Sequence, residues 1–369
     1  MIVEELSLYL MNMKLVRPFV TSFGMTYERP CILVRVKSES EEGWGEVVAN
    51  RGPWYSYETT YTAWHTITKF IIPLILGKEI ESPRDVNRIL SPIRGHNMAK
   101  AGVEMAIWDL YAKLEGKPLF KVLGGVKNEI ESGVSIGIQK DVEKLLKLIG
   151  GYLTQGYRRI KIKIKPSWDV DVVRRVREEY PDIPLQVDAN AAYTIKDIEL
   201  LKELDQYSLL MIEQPFSYDD LVDHATLQRA IETPICLDES ISSPSMVRSA
   251  LALGSCKVIN IKPGRVGGHF NSLIIHDLCA SEDVPCWIGG MLETGVGRAH
   301  NVALATLPNI KYPNDISGSD RYYEKDIVEP PFKVSKRGTI SVPKEVGIGV
   351  EVLVDEVYKK SRKAKSFKA

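Results

Sequence analysis

Five charged residues recur at nearly equal intervals along the middle of the chain. Lys163, Asp188, Glu213, Asp238 and Lys262 follow one another at intervals of 25, 25, 25 and 24 residues. About 25 residues make one strand, one turn and one helix, so the five side chains would lie at one level of successive βα units. In a parallel barrel that level, the carboxyl end of the strands, carries the catalytic groups. The spacing therefore predicts three carboxylates that bind a divalent metal ion, with a basic residue on either side.

The segment around Lys163 alternates isoleucine with basic residues. Neighbouring residues of a strand face opposite sides, so the isoleucines would pack against helices while Lys161 and Lys163 point into the barrel. A water-facing edge strand shows the same alternation, but a closed barrel has no edge. Two ammonium groups on one face would lower each other's pKa enough to make one of them a base near neutral pH. Lys161 has an alternative role, which is to neutralise a metal-binding carboxylate.

Each of the three acids closes an apolar run and precedes turn residues. Their charges would repel one another at the ends of consecutive strands, and a hard cation removes that cost. Mg²⁺ and Mn²⁺ both take oxygen ligands and leave positions for a substrate carboxylate. Structural salt bridges are the alternative for any single acid, but equal spacing disfavours three of them. With Lys163 and Lys262 on opposite faces of a bound carboxylate, the pattern predicts proton abstraction from the carbon next to that carboxylate.

The order of strand-like and helical runs predicts two folding units. Residues 2–9, 32–36 and 44–48 are typical of strands, 19–28 of a glycine-containing loop, and 57–75 and 98–115 show helical periodicity. From 132 to 289, strand-like runs alternate with helical ones, which indicates parallel βα construction. We predict an α/β protein with an α+β capping domain at 1–128, a barrel at 129–319 and a segment, 320–369, that returns to the capping domain. We expect the basic tail at 359–368 to be simply solvated.

Composition limits the classes of partner. The 369 residues include 48 basic and 48 acidic side chains, so no overall field favours nucleic acid or an anionic membrane. Five cysteines without a C-x-x-C pair favour free thiols, and no signal-peptide pattern or transmembrane stretch occurs, so we expect a cytoplasmic protein. The sequence also lacks a complete phosphate-loop pattern, the histidine spacing of zinc sites and the G-x-S-x-G motif of serine hydrolases. A small-molecule carboxylate is the expected partner.

Together these motifs resemble the enolase superfamily. The resemblance covers essentially the whole chain and includes the helical segment 106–110, the Lys161-x-Lys163 motif, the three acids and Lys262. A lysine at position 262, instead of a His-Asp pair near His300, is similar to the muconate lactonizing subgroup and unlike mandelate racemases. The resemblance implies a modified (β/α)7β TIM-type barrel in which the three acids bind Mg²⁺ (or Mn²⁺). It also implies that Lys163 is the base and then the acid, and that Lys262 stabilises an enediolate.

Within that subgroup, the segments 19–24, 132–137 and 289–298 look most like those of o-succinylbenzoate synthases and their N-acylamino acid racemase relatives. Arg265 resembles an arginine of members that racemise as well as dehydrate, whereas Lys165 stands where relatives often carry an acid. The resemblance implies syn-dehydration of 2-succinyl-6-hydroxy-2,4-cyclohexadiene-1-carboxylate in menaquinone biosynthesis, with racemisation of N-acylamino acids (N-succinylamino acids) as a second activity. Dipeptide epimerisation and muconate cycloisomerisation remain open, as does a non-catalytic use of the fold.

The resemblance also implies supporting and substrate-binding residues. The supporting residues are Lys161, Asn190, Glu239 and Arg265. The substrate-binding residues are Phe19, Ser22, Phe23, Ser135, Gly289, Gly290, Met291 and Leu292. The run 289–292 lacks the Asp-x-Asp pattern common in dipeptide epimerases, which favours acylated or aromatic substrates. We expect a homo-oligomer without a nucleic-acid or membrane partner.

Overall fold

The computed structural model describes residues 1–22 and 24–369. Its strands are β1 (Glu5–Thr21), β2 (Gly24–Ser38), β3 (Glu41–Val47), β4 (Glu129–Glu131), β5 (Gly133–Ile136), β6 (Arg159–Lys163), β7 (Leu185–Asp188), β8 (Met211–Glu213), β9 (Ile235–Leu237), β10 (Val258–Ile261), β11 (Cys286–Ile288), β12 (Val328–Glu329), β13 (Thr339–Ser341), β14 (Glu351–Val352) and β15 (Ser361–Lys368). Its helices are α1 (Thr60–Thr66), α2 (Ile72–Ile75), α3 (Asp85–Ile89), α4 (Asn97–Leu114), α5 (Leu119–Val122), α6 (Val142–Thr154), α7 (Val170–Glu179), α8 (Ile198–Glu203), α9 (Val222–Ala230), α10 (Pro244–Leu253), α11 (Pro263–Val266), α12 (His269–Ser281), α13 (Gly295–Ala305) and α14 (Val354–Lys360). A π-helical turn (Ile67–Ile71) joins α1 to α2, and 3₁₀ turns lie at Ile195–Asp197, Leu204–Tyr207 and Ser319–Arg321.

An antiparallel sheet in the order β15-β1-β2-β3 forms the N-terminal unit. The β1–β2 hairpin is longer than the sequence suggests, because Phe19 pairs with Thr26 and Thr21 with Gly24, beyond a register shift that follows Lys14. The expected loop at 19–28 is therefore wrong. In 19–22 and 24–28 most side chains are polar or exposed, so they lack a strand pattern, yet the backbone of 19–21 pairs with that of 24–26 across the hairpin. The hairpin carries Phe19 and Thr26 to the mouth of the barrel.

The C-terminal tail is a strand rather than a solvated end. β15 pairs antiparallel with β1, from Glu5 opposite Lys368 to Leu10 opposite Lys363. Its side chains are mostly exposed, while its backbone completes the edge of the sheet. Lysines on such an edge hinder pairing with another chain. The expectation of a simply solvated tail is wrong, whereas the proposed domain boundaries after residues 128 and 319 stay predictions.

Seven parallel strands, β5 to β11 in spatial order, form the second unit. Residues 310–315 close the ring, because Ile310 bridges to Cys286 at one end of the sheet and Asn314 bridges to Ser132 at the other. Helices lie between successive strands and cover the outside of the ring. The predicted α/β class, with a modified (β/α)7β barrel and an α+β capping domain, is confirmed.

Helix α4 packs between the two units. The predicted helix is confirmed, and its predicted stripe is buried: Met98, Ala101, Met105, Trp108 and Ala112. The other faces are largely buried too, because β3 and α11 also contact this helix. A Cβ atom at Gly43 would lie 2.1 Å from the carbonyl oxygen of Ala106, and one at Gly45 would lie 2.2 Å from that of Gly102. Only glycine allows this approach, which lets β3 pack directly against α4.

Two further expectations concern membranes and thiols. No helix within the described ranges is long and apolar enough to cross a membrane. The five cysteines are free thiols, as expected, and all are buried.

Candidate active site

The strand register places Lys163, Asp188 and Glu213 at one level. Lys163 is aligned with Asp188 across β6 and β7, and Asp188 is aligned with Glu213 across β7 and β8. Glu213 is aligned with Cys236 on β9, so Asp238 lies two residues further along the chain, directly after the end of β9. Barrel closure requires such a stagger between strands. The first three residues are thus aligned in register, and Asp238 is offset by two residues.

Lys161 and Lys163 both point into the barrel, as the strand alternation predicted. Lys163 Nζ lies 2.6 Å from Asp188 Oδ2 and donates to Asn190 Oδ1 at 2.7 Å. Lys161 Nζ lies 2.8 Å from Glu213 Oε2 and 3.2 Å from Asp188 Oδ2. The isoleucines of the strand join the core beneath the helices. Since every residue of β6 is buried, a water-facing edge strand is excluded.

Lys262 contacts Asp238 on the far side of the cluster. Its Nζ lies 2.7 Å from Asp238 Oδ2 and donates to the hydroxyl of Tyr55 at 3.1 Å. That hydroxyl donates to Asp238 Oδ1 at 3.0 Å, and the guanidinium of Arg265 also contacts this oxygen. Strands β7, β8 and β9 separate the strand of Lys163 from that of Lys262. The two lysines therefore flank the three carboxylates.

Burial and neighbouring charges shift the pKa values of this cluster in different directions. Burial alone lowers the pKa of Lys161, but the carboxylates of Asp315 and Glu213 outweigh it and raise this pKa. The expected mutual depression by the two lysines is therefore wrong for Lys161. Burial alone raises the pKa of Asp188, but the ammonium groups of Lys163 and Lys161 outweigh it and lower this pKa. Burial and the charge of Asp188 together raise the pKa of Glu213.

The donor set suits a hard divalent cation. Asp188, Glu213 and Asp238 are almost fully buried and offer oxygen atoms, which Mg²⁺ and Mn²⁺ prefer. Each carboxylate contacts an ammonium group instead, and within residues 1–22 and 24–369 no three His, Cys, Asp or Glu side chains are arranged to hold a metal ion. A bound cation would therefore replace ammonium contacts. Glu239 Oε2 is buried next to Asp238 with no hydrogen-bond partner in the described part of the chain. The donor chemistry fits a divalent cation, and the ligand roles stay predictions.

Asn190 links Lys163 to Glu239. Its Oδ1 accepts from Lys163, and its Nδ2 donates to Glu239 Oε1 at 3.0 Å. Burial and the charge of Asp188 raise the pKa of Glu239 to about 7. Asn190, two residues beyond β7, and Gln214, directly after β8, have φ angles of 45° and 39°, in the left-handed region that asparagine tolerates and glutamine seldom adopts. Backbone strain of this kind concentrates at functional sites.

A cavity of about 90 Å³ borders the polar cluster. Its walls include these predicted residues: Phe19, Ser135, Lys161, Lys163, Asn190, Lys262, Gly290, Met291 and Leu292. Ser22 lies near the wall, because its Oγ donates to the carbonyl of Asn190 at 3.4 Å. Gly289 lies against Asn260 and Lys262 instead of the cavity. Phe23 lies outside the described residues, and the substrate-binding roles of the whole set stay predictions.

Four cavity-lining residues outside the predicted segments were missed by the sequence analysis: Asn50, Tyr55, Asp315 and Tyr322. Asp315 Oδ1 accepts from Arg159 at 2.7 Å, and Asp315 Oδ2 lies 2.5 Å from Lys161 Nζ. Asp315 ends the segment that closes the barrel, so recognising an eighth strand there would have found it. Tyr55 lies in an irregular segment after β3, where no periodicity signals its role.

The fold and this arrangement of lysines and carboxylates define a class of protein. Residues 144–357 match the family described as enolase C-terminal domain-like, and residues 5–124 match the mandelate racemase / muconate lactonizing enzyme N-terminal domain. The chain belongs to the enolase superfamily, whose enzymes depend on a metal ion. The predicted family is confirmed.

Close relatives narrow the class. An o-succinylbenzoate synthase from Geobacillus stearothermophilus is 53% identical over 99% of this chain and 97% of its own length. An N-succinylamino acid racemase from Thermus thermophilus is 47% identical over 95% of both chains. The crystal structure of an enolase superfamily member from Listeria innocua has a TM-score of 0.96 and 42% identity, and covers 100% of this chain and 99% of that chain. The chain is thus an enzyme whose near full-length relatives are lyases and racemases of this superfamily.

Proposed function

We propose that this enzyme is a metal-dependent o-succinylbenzoate synthase that also racemises N-succinylamino acids. The proposal is supported by the two kinds of relative, which carry these names and align over nearly the full chain. The main reaction is the syn-dehydration of 2-succinyl-6-hydroxy-2,4-cyclohexadiene-1-carboxylate, a step of menaquinone biosynthesis. A cytoplasmic location and a homo-oligomeric state stay predictions.

The observation that carries the proposal is the position of two lysines on opposite sides of a buried carboxylate cluster. Lys163 contacts Asp188 on one side, Lys262 contacts Asp238 on the other, and both lysines line the same cavity. A substrate carbon held between the two Nζ atoms loses its proton to one and receives a proton from the other, which inverts its configuration. Racemisation requires both lysines as proton carriers, whereas syn-dehydration requires proton transfer on one face.

In the dehydration, Lys163 acts first as the general base and then as the general acid. Its Nζ takes the proton from the carbon next to the substrate carboxylate, and the C–H electron pair enters the enediolate. The ammonium group then returns that proton to the departing hydroxyl on the same face, so that water leaves and the ring becomes aromatic. Charged Lys262 stabilises the negative charge of the enediolate from the other side. Asp188 and Asn190 hold Lys163 Nζ in place through the contacts at 2.6 and 2.7 Å.

We propose Mg²⁺ or Mn²⁺ as the cofactor. Asp188, Glu213 and Asp238 would hold the ion, since their buried oxygen atoms now contact ammonium groups that a cation would replace. When bound, the cation supplies Lewis-acid stabilisation of the charge that develops on the substrate carboxylate.

A dipeptide epimerase is the second candidate, and one contact disfavours it. Such an enzyme needs a carboxylate for the free amine of its substrate. Among the described residues that line the cavity, Asp315 is the carboxylate, and Arg159 and Lys161 already neutralise it. The site therefore favours acylated or aromatic carboxylates, which carry no such amine.

Turnover assays test the proposal. The purified protein with Mg²⁺ receives either the cyclohexadiene substrate, followed by absorbance of the aromatic product, or an N-succinyl-L-amino acid, followed by polarimetry. We expect turnover of both, and a loss of roughly 10²- to 10⁴-fold in Lys163→Ala, because the general base is removed. Lys165→Ala is the matched control, since Lys165 lies just beyond the same strand but is exposed. Absence of turnover on both substrates would contradict the proposal.

A further inference from the structure

One wall of the cavity is a strained loop. Gly290, Met291 and Leu292 line the cavity directly beyond β11. Leu292 has a φ of 57°, in the left-handed region that is unfavourable for a residue with a branched side chain. A conformation of this kind persists only where surrounding groups hold it.

Two buried donors from other parts of the chain hold this loop. Arg29 Nε donates to the carbonyl of Met291 at 2.7 Å, and the hydroxyl of Tyr323 donates to the carbonyl of Leu292. Arg29 is 1% exposed and Tyr323 is 2% exposed, so water does not compete for either contact. The two hydrogen bonds fix two consecutive carbonyl groups, that of Met291 before the strained residue and that of Leu292 itself. Together they restrain the backbone conformation of Leu292. Both donors lie outside the cavity lining, so they act through the loop.

Arg29 also joins this loop to the opposite wall. It lies on β2, the strand that begins at Gly24 and carries Thr26 into the cavity, opposite Phe19 on β1. Its guanidinium is oriented by Glu46, whose Oε1 lies 2.7 Å from Arg29 Nη1. Glu46 is itself fixed by the backbone N–H and hydroxyl of Thr294, just after the loop. The hairpin wall and the loop wall are therefore connected through one buried ion pair.

We propose that Arg29 and Tyr323 are positioning residues that hold the two walls of the substrate pocket in register. The proposal rests on the proposed function for its substrates, and it assigns neither residue a part in proton transfer. Loss of either hydrogen bond lets Leu292 relax toward an unstrained conformation. The loop then moves away from the position in which it contacts the substrate. We call these two hydrogen bonds, from Arg29 and Tyr323 to the loop, the clamp. Its loss weakens substrate binding, while Lys163 and Lys262, which the clamp does not touch, still transfer protons.

The kinetic test separates substrate binding from chemistry. In Tyr323→Phe we expect KM to rise about 5- to 10-fold for both substrate types, as befits one buried hydrogen bond, with kcat within about two-fold. Arg29→Met should raise KM further, and Arg29→Lys, which keeps a charge beside Glu46, should lie between wild type and Arg29→Met. Tyr193→Phe is the control, since Tyr193 is buried and donates to Asp169 at 3.1 Å away from the cavity. It should lower the melting temperature without changing KM. Unchanged KM in Tyr323→Phe and Arg29→Met, or a fall in kcat at constant KM, would overturn the proposal.

A second measurement does not depend on the substrates. Amide hydrogen exchange of the peptide that covers 289–293 should accelerate about five-fold or more in Tyr323→Phe and Arg29→Met, and not in Tyr193→Phe. If wild type turns over neither substrate, the proposed function fails, while the exchange data still decide whether the clamp exists. Unchanged exchange in both folded variants would overturn the clamp even in an active enzyme.

Discussion

Asp315 closes the barrel beside the cluster of lysines and carboxylates, and its replacement by asparagine removes one charge while keeping the shape of the side chain. Asp315 contacts Arg159 at 2.7 Å and Lys161 at 2.5 Å. In Asp315→Asn, Lys161 keeps Glu213 as its partner, whereas Arg159 keeps the carbonyl of Pro313 but no carboxylate within ion-pair distance in the described part of the chain. We therefore expect most of the cost to arise at Arg159.

The magnitude follows from the pKa of Asp315. Burial alone raises this pKa, but Arg159 and Lys161 outweigh burial and lower it from 3.8 to about 2. Since each pKa unit corresponds to about 1.4 kcal/mol, the ionised form of Asp315 stabilises the folded state by a net amount of about 2 kcal/mol at neutral pH. Because the pKa is lowered on folding, this contribution is present above pH 3.8 and is lost as the pH falls toward 2. Leaving a buried cation without its partner adds to the loss, so we expect the variant to lose about 3 kcal/mol.

Urea denaturation at pH 7 with a chelator measures this free energy of unfolding. The matched control is Asp171→Asn, because Asp171 forms a solvent-exposed pair with Arg174 at 3.1 Å, and such pairs contribute little to stability. A double-mutant cycle with Arg159→Met should give a coupling energy of about 2 kcal/mol. Equal losses in Asp315→Asn and Asp171→Asn, or a coupling energy near zero, would refute the reasoning.

Three further outcomes follow from the structure. In Gly289→Ala, the new Cβ would lie 2.3 Å from Asn260 Oδ1 and 2.6 Å from Lys262 Cε and would displace Lys262. We therefore expect kcat to fall at least about ten-fold with the protein still folded. Unchanged kcat would show that Lys262 tolerates displacement. Burial raises the pKa of Glu104 to about 7, so its contribution to stability is complete below pH 4.5 and is lost as the pH rises through 7. Across this range the free energy of unfolding of wild type should fall by about 3 kcal/mol relative to that of Glu104→Gln. Parallel pH profiles of the two proteins would contradict this. Removal of Mg²⁺ should abolish turnover, and Mg²⁺ at about 100 times its Kd should raise the free energy of unfolding by about 2.7 kcal/mol. In Asp188→Asn, Mg²⁺ should not raise the free energy of unfolding. A rise equal to that of wild type would exclude Asp188 as a ligand.

The parts of the fold that follow a regular period could be predicted from the sequence. The βα units of the barrel and helix α4 each repeat a hydrophobic pattern, and the structure has both. The 19–28 hairpin and the β15 strand could not be predicted in this way. Their described residues are mainly polar or exposed, so neither shows the hydrophobic alternation of a strand. β15 forms through long-range backbone pairing with β1, and the hairpin forms through pairing of its own two arms.

The same distinction applies to the site. Lys163, Asp188 and Glu213 follow from spacing, because one residue at the end of each strand recurs with the period of the βα unit. Tyr55 and Asp315 reach the cavity from an irregular segment and from the closing segment of the ring, where no period applies. The pKa of Lys161 was predicted in the wrong direction, because Asp315 was missing from the account of nearby charges.

Exchange of the α-proton in D₂O tests the central claim, that two opposed lysines act on one substrate carbon. The enzyme with Mg²⁺ is incubated separately with the L and D enantiomers of an N-succinylamino acid, and deuterium incorporation is followed by NMR. We expect wild type to exchange and racemise both enantiomers. Lys163→Ala and Lys262→Ala should both lose racemisation, and each should retain exchange with one enantiomer, the opposite one in the two variants. Retention of exchange with the same enantiomer in both variants, or of racemisation in either, would contradict the account.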